Sequence, residues 1–399
     1  MHETARSNFW RSSGRAIRTL LAGCFPLLLL AALLLYGLAR PRHETLSPQG
    51  RSAAPTAFSE AHVQFGRGYI GDGWRLYFTE PDAAADQTRY AGGIDTALAD
   101  AVNAARASLD IAAFELNSEP LTQAILDAHG RGLAVRIVAD DEHGLHDAKN
   151  DALRRLRAAG FPVLDDGRSG LMHNKFMIVD GQTVWTGSLN YTVNGSYRNN
   201  NNVFVMESAA AARAYQAEFD EMFRRAEFGV TSTDDGIAKF AVSGGEVSIL
   251  FAPEAEEISA LKAEIEAAAR SIRIMTFVFS LEELAEAFLL QAARHGVRVE
   301  GVFERRNSLA SWSRLPALHC AGAAMRQDGN RYTLHHKVII IDDHTVITGS
   351  FNYSRSATER NDENIAIIRD ETVAGLYLDE WRRIWDSAQP LAPGEVDCE

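Results

Sequence analysis

Two histidines in this chain keep the same company. His173 stands two residues before Lys175 and seven before Asp180, and His335 stands likewise before Lys337 and Asp342. At one constant offset both stretches run on into Gly187-Ser188-Leu189-Asn190 and Gly349-Ser350-Phe351-Asn352, so five polar residue types recur in register. Side chains alternate across a strand, which puts His173 with Lys175, and His335 with Lys337, on one face. Phe176, Ile178, Val338 and Ile340 take the other face, where a buried sheet wants apolar bulk. Asp180-Gly181 and Asp342-Asp343 read as turns into return strands at 183–186 and 345–348, hairpins that bring Ser188 and Asn190, or Ser350 and Asn352, back beside the imidazole. Imidazole is a nucleophile or general acid near neutral pH, while ammonium, hydroxyl and amide donate hydrogen bonds to an anion that gains charge in the transition state. That set suits a phosphate diester. By parity Asp180 and Asp342 fall on the face away from the histidines, as turn and orientation residues. A single motif would fit a structural hairpin as well; two in register favour chemistry.

At these residues the sequence resembles the phospholipase D superfamily, whose signature is H-x-K-x-x-x-x-D followed by G-S-x-N and whose two-motif members carry it once in each half. The resemblance covers residues 62–390. It implies that one histidine attacks phosphorus to give a covalent phosphohistidine, while the other protonates the leaving oxygen and then activates water. Lys175, Lys337, Ser188, Asn190, Ser350 and Asn352 would surround the phosphate, with neither metal nor cofactor. The repeat is imperfect at one informative place, where the second copy has Glu363 and the first has Asn201. A carboxylate on the far ring nitrogen stabilises a cationic imidazole better than an amide does. In two-motif relatives the acidic residue after the second motif supports the histidine of the first, so the resemblance implies Glu363 behind His173, His173 as nucleophile and His335 as acid. The alternative is that Glu363 caps a helix or pairs with Arg360.

Something must bring the two motifs together. Other landmarks repeat as well: 74–81 matches 247–254, the Ala-rich stretches 94–107 and 258–270 read as helices, and apolar strands follow at 109–116 and 272–279. A helix and a Gly-led strand come next in each copy, 133–139 and 297–303. This predicts an α/β protein of two similar mixed-sheet α/β/α units, at 62–240 and 245–390, related by a pseudo-twofold with the site in the cleft between them. One chain supplies both motifs, so the catalytic unit is expected to be monomeric.

Residues 19–39 carry no charge and are long enough to span a bilayer as a transmembrane helix. Arg6, Arg11, Arg15 and Arg18 precede them, so a cytoplasmic basic segment at 1–18 and a linker at 40–60 would leave the body on the periplasmic or extracellular side. A cleaved signal sequence ending near Ala39, and so a secreted body, is the competing reading, and Leu21-Ala22-Gly23-Cys24 also resembles a lipoprotein box. Of the three cysteines, Cys320 and Cys398 allow one disulfide, and no spacing suggests zinc. Asp140-Asp141-Glu142-His143, followed by His146-Asp147, resembles a metal cluster on a loop, or a solvated one, or one that selects substrate at the cleft mouth. The formal charge of -13 disfavours a strong nucleic-acid binder. Arg305, Arg306 and Arg314 with Trp312 could meet either a phospholipid bilayer or a nucleic acid, or form a plain exposed loop. Phospholipid diester hydrolysis is therefore the first expectation, ahead of a non-specific endonuclease, phosphatidyl transfer to an alcohol, and a membrane-tethered scaffold without enzymatic activity.

Overall fold

The repeated apolar runs become the strands of two nine-stranded sheets in a computed structural model that describes residues 58–398 apart from 82–86, 149, 234–235, 243 and 255. The expected basic segment, transmembrane or signal segment and most of the linker lie outside the described residues. Among the described residues, no helix is long and apolar enough to cross a membrane. Strand structure starts at Phe58–Ala61, inside the stretch expected to be linker.

The first sheet runs in the order Phe58–Ala61, Gly66–Gly71, Trp74–Thr79, Asn202–Glu207, Thr183–Gly187, Lys175–Val179, Ser108–Ala113, Ala134–Ala139 and Val163–Asp165. The second runs Ala238–Val242, Gly245–Ala252, Glu363–Arg369, Thr345–Gly349, Lys337–Ile341, Ser271–Thr276, Arg298–Phe303, Ala324–Gln327 and Gln389–Pro390. In both, the motif strand is interior and antiparallel to both neighbours, while the next three strands beyond it are parallel to one another; the second sheet ends in the short antiparallel strand Gln389–Pro390. The sheets are thus mixed, as the repeat predicts.

The outer face of each sheet has its own core, covered by helices such as Ile94–Ala104 and Glu119–Gly130 in the first half and Glu257–Glu266 and Glu282–His295 in the second. The inner faces share one core. Phe78, Phe176, Ile178 and Phe204 pack in the same cluster as Phe251, Val338 and Ile340, together with Tyr215 and Phe219 of helix Ala209–Asp220 and Tyr377 and Trp381 of helix Glu371–Ser387. Apolar burial is thereby continuous across the halves, which form one body over Thr56–Glu399. Cys320 and Cys398 are joined in a disulfide that holds the C-terminal tail to helix Leu315–Cys320.

Each motif hairpin turns through residues with positive φ: Asp180 and Gly181 in the first, Asp342 and Asp343 in the second. The Asp180 carboxylate accepts the backbone N–H groups of Arg106, Ala107 and Ser108, and Asp342 accepts those of Ala269, Arg270 and Ser271. The two aspartates latch the turn to the start of the adjacent strand, far from the histidines.

Candidate active site

The backbone decides which residue lies behind which ring. The segment leading into the first motif pairs with the second half: His173 N–H donates to the carbonyl of Asp362 (3.0 Å), and Asp362 N–H to that of Leu171 (2.8 Å). The mirror pairing joins Thr333–Leu334 to Asn199–Asn200, with His335 N–H donating to the carbonyl of Asn200 (3.0 Å). Each histidine therefore meets the residue that follows its partner segment, Glu363 for His173 and Asn201 for His335. His173 Nδ1 lies 2.7 Å from Glu363 Oε2, and His335 Nδ1 lies 2.9 Å from Asn201 Oδ1 and 3.0 Å from the carbonyl of Ser188. A backbone carbonyl can only accept, so His335 carries its proton on Nδ1 and leaves the Nε2 lone pair free.

Lys175 and Lys337 are also buried, and each donates from Nζ to the carbonyl of its own histidine. Lys175 Nζ sits 4.6 Å from the ring centre of Phe114, whose edge meets His173, and Lys337 Nζ sits 5.0 Å from Phe277 beside His335. Burial, with the two ammonium groups nearby, holds both imidazoles well below their usual pKa. Burial also brings Lys175 down to about 8, against the pull of Glu363 and Glu115, and lowers Lys337. Glu363 is raised by burial to about 7, opposed by Lys175 and by its hydrogen bond from Ser350.

The two serines take parallel places. Ser188 Oγ donates to Asn201 Oδ1 (2.9 Å) and accepts the N–H of Asn202 (3.1 Å); Ser350 Oγ donates to Glu363 Oε2 (2.6 Å) and accepts the N–H of Asn364 (3.0 Å). Both serines are fully buried. Their hydroxyls thus hold the acceptors behind the rings, whereas the sequence suggested phosphate contacts. Gly187 and Gly349 make the approach possible: each has positive φ, and a Cβ would strike the carbonyl oxygen of Asn202 or Asn364. Asn190 and Asn352 are only partly buried, and Asn190 Nδ2 donates to Glu115 Oε2 (2.7 Å).

A further ring of polar groups fixes the motif residue between His and Lys. Asn174 donates to Glu218 (3.0 Å) and accepts from Asn364 (2.8 Å), whereas His336 receives Asn202 Nδ2 at Nδ1 (3.0 Å) and donates from Nε2 to Glu380 (3.0 Å). Asn202, Tyr215 and Glu218 recur as Asn364, Tyr377 and Glu380 at the motif offset; the tyrosine and glutamate recurrences are a signal present in the sequence but not read from it. Asp140, considered above as a metal ligand, accepts the N–H groups of His143 and Met172; its counterpart Glu304 accepts those of Arg306 and Leu334. The carboxylates of Asp140, Asp141 and Asp166 do approach within 4.8 Å of one another. Arg306 and Arg314 are tied to Tyr332 and Glu282, while Trp312 is 43% exposed.

A family model described as cardiolipin synthase, PLD-like domain, matches residues 98–223 and again 261–385, well over half of the chain. The chain belongs to the phospholipase D superfamily. Its similarity to the mitochondrial cardiolipin hydrolase of Xenopus tropicalis is 37% identity over 120 residues, 30% of this chain and 56% of that protein; the chain thus spans about half of that relative's length. The phospholipase D of Rickettsia conorii is 36% identical over 140 residues, covering 35% of this chain and 70% of the relative. The solved structure of the phosphatidylserine synthase of Haemophilus influenzae superposes with a TM-score of 0.55 at 14% identity, over 75% of this chain and 85% of that one. At that identity the likeness is one of fold.

Proposed function

We propose that this superfamily member hydrolyses phospholipid diester bonds through a covalent phosphohistidine on His173. The observation that carries the reading is the unequal backing of the two rings, a carboxylate 2.7 Å from His173 and an amide 2.9 Å from His335. Attack by His173 Nε2 on phosphorus makes the ring cationic, and Glu363 compensates that charge through Nδ1–H. His335, when protonated on Nε2, has only neutral acceptors behind it, so it gives up its proton readily to the departing alkoxide. It then takes a proton from the water that attacks phosphorus and releases His173. Lys175, Lys337, Asn190 and Asn352 hold the phosphate oxygens, with Ser188 and Ser350 as positioning residues. The chain's own side chains supply nucleophile, acid and anion binding, and the catalytic unit is a single chain.

The phospholipid is favoured as substrate by the net charge of -13 and by the cardiolipin hydrolase and phospholipase D relatives. Nucleic acid is the alternative. An exported body anchored by residues 19–39 is supported by the Cys320–Cys398 disulfide, a bond that persists in oxidising compartments. The test presents the purified protein in parallel with labelled phospholipid vesicles and with single- and double-stranded DNA, with and without EDTA. Release of a head group from vesicles, undiminished by EDTA, is the expected result. Cleavage of DNA alone would refute the substrate, and loss on chelation restored by a divalent ion would refute the mechanism.

A further inference from the structure

On the first half's side of the cleft, beside Asn190, lies a cavity of about 210 Å³ whose lining includes Glu115, Asn117, Asp147, Asn150, Asn190 and Thr192. Two of its amide oxygens lack a donor. Asn190 commits its Nδ2 to Glu115 Oε2, and Asn150 commits its Nδ2 to the carbonyl of His143 (2.7 Å) and to Asp147 Oδ2 (3.4 Å). Both amide oxygens are then buried with no hydrogen-bond partner, and Asn150 is only 2% exposed. Two neighbouring oxygens already accept backbone N–H groups, Asn117 Oδ1 from Val193 (2.9 Å) and Thr192 Oγ1 from Gly195 (3.0 Å). Buried acceptors without donors are costly, and native proteins satisfy them with an ordered ligand or water.

The lining fixes the chemistry of what fits. Among the described residues it holds two carboxylates, six asparagine or threonine side chains, and no lysine, arginine or aromatic ring. A phosphate or carboxylate would be repelled by Glu115 and Asp147. A quaternary ammonium has no N–H to donate and normally needs aromatic faces. A primary ammonium or a small polyol can donate to both amide oxygens, and the ammonium is also attracted by the charge of the carboxylates. The volume lies below the roughly 300 Å³ floor of ordinary ligand pockets, which admits a small head group and not a nucleoside.

The cavity also breaks the repeat. Leu116 and Phe279 form equivalent bridges to Tyr191 and Tyr353, which makes Val278 the counterpart of Glu115. The second half therefore has no carboxylate at this place. Glu115 is joined to the site by Asn190 and lies within the field of Lys175, the strongest charge acting on it.

We infer that this cavity is a head-group subsite, taking the primary-ammonium or polyol substituent of the diester whose phosphate lies at Lys175 and Asn190. The inference rests on the phospholipid reading above. Its test uses a soluble nitrophenyl phosphodiester as substrate, so that it does not depend on vesicle cleavage. Glycerophosphoethanolamine, glycerophosphoglycerol and glycerophosphocholine are compared as competitive inhibitors through the ratio of their inhibition constants, which a general loss of active protein leaves unmoved. The expected result is that one or both of the first two bind at least tenfold more tightly than the choline compound, and that Glu115→Gln and Asn150→Leu each bring the ratio toward one. Asp147→Asn separates the two sources, weakening the ammonium compound while sparing the polyol. Equal inhibition by all three, or a ratio unchanged in both Glu115→Gln and Asn150→Leu, overturns the subsite. If the ratio behaves as expected while vesicles remain uncleaved, the subsite stands and the phospholipid hydrolysis reading falls.

Discussion

Two imidazoles in pseudo-equivalent places differ by one atom type behind the ring, and the proposed chemistry follows from that difference. With Glu363 raised to about 7, Nδ1 of His173 faces an ionised acceptor only above that pH, so activity should climb as pH rises through about 7. Lys175, lowered to about 8, loses its charge above that value, so activity should fall again. A bell with limbs near these values is expected in kcat/KM, and Glu363→Gln should abolish the acidic limb while lowering the rate roughly 10 to 100-fold, as for other partners that orient functional histidines. An acidic limb that survives in Glu363→Gln would assign it elsewhere. The nucleophile itself can be located. On a nitrophenyl diester, which asks little of a general acid, His335→Ala should still accumulate an adduct and His173→Ala should form none. Intact-protein mass spectrometry after acid-free quenching, with peptide mapping, reads this directly; an adduct on His335 in the wild type would reverse the roles.

The hairpin is the element that sets these distances, and its tip is held by aspartates with no place in the chemistry. Asp180 and Asp342 each accept three backbone N–H groups, and removal should loosen the strand that carries the lysine. Asp180→Ala is expected to cost about 1 to 2 kcal/mol in denaturant unfolding, given the exposure of the latch, with both histidines still competent. A loss of activity without loss of stability would contradict a purely orienting part. Parity along the strand was enough to place these aspartates from sequence, because a strand's alternation is local. The repeat likewise made the motif strands, their hairpins and the flanking helices legible, and the family resemblance, applied to the Asn201–Glu363 difference, implied the pairing across the halves. The crossing segments at Leu171–His173 and Thr333–His335 were not legible, since two-residue pairings between distant parts of the chain leave no periodicity. For the same reason the serine hydroxyls could be assigned to a motif but not to a partner. Phe114 and Phe277 read only as apolar residues in strands until the fold set them under the lysines and histidines.

At the scale of the molecule, the halves are held by their shared core and by buried charged contacts, among them a cluster around Glu380. Glu380 meets His336 and Arg383 of the second half and Arg67 of the first, and Arg383 and His336 bring its carboxyl down to about 2 despite complete burial. A folded value below the ordinary 4.5 means that Glu380 stabilises the fold fully above that pH and that the contribution fades as pH falls toward 2. Glu380→Gln should therefore cost about 3 to 5 kcal/mol at neutral pH, because it leaves Arg383 without its carboxylate and Arg67 with Glu80 alone, and the difference from wild type should shrink in acid. A constant difference between pH 7 and pH 3 would show that packing, not charge, is lost.

The disulfide speaks to where such a body can live. Cys320 and Cys398 close a loop with a sequence separation of 78, and the bond should contribute roughly 2 to 4 kcal/mol. That contribution is available only outside a reducing cytosol, which agrees with the proposal that the arginine-flanked apolar stretch at 19–39 directs the body across a membrane. In native cells an alkylating reagent added without reductant should therefore label neither cysteine, and Cys398→Ser should lower the melting temperature. If residues 19–39 remain as an anchor, the protein should stay with membranes through a carbonate wash, and protease added on the outer side of that membrane should remove the body. A mature N-terminus at Arg40 would mean that the segment is cleaved and the body released, with the disulfide still formed. A body protected from that protease, with both thiols alkylated, would place it in the cytosol and remove the oxidising compartment from the account.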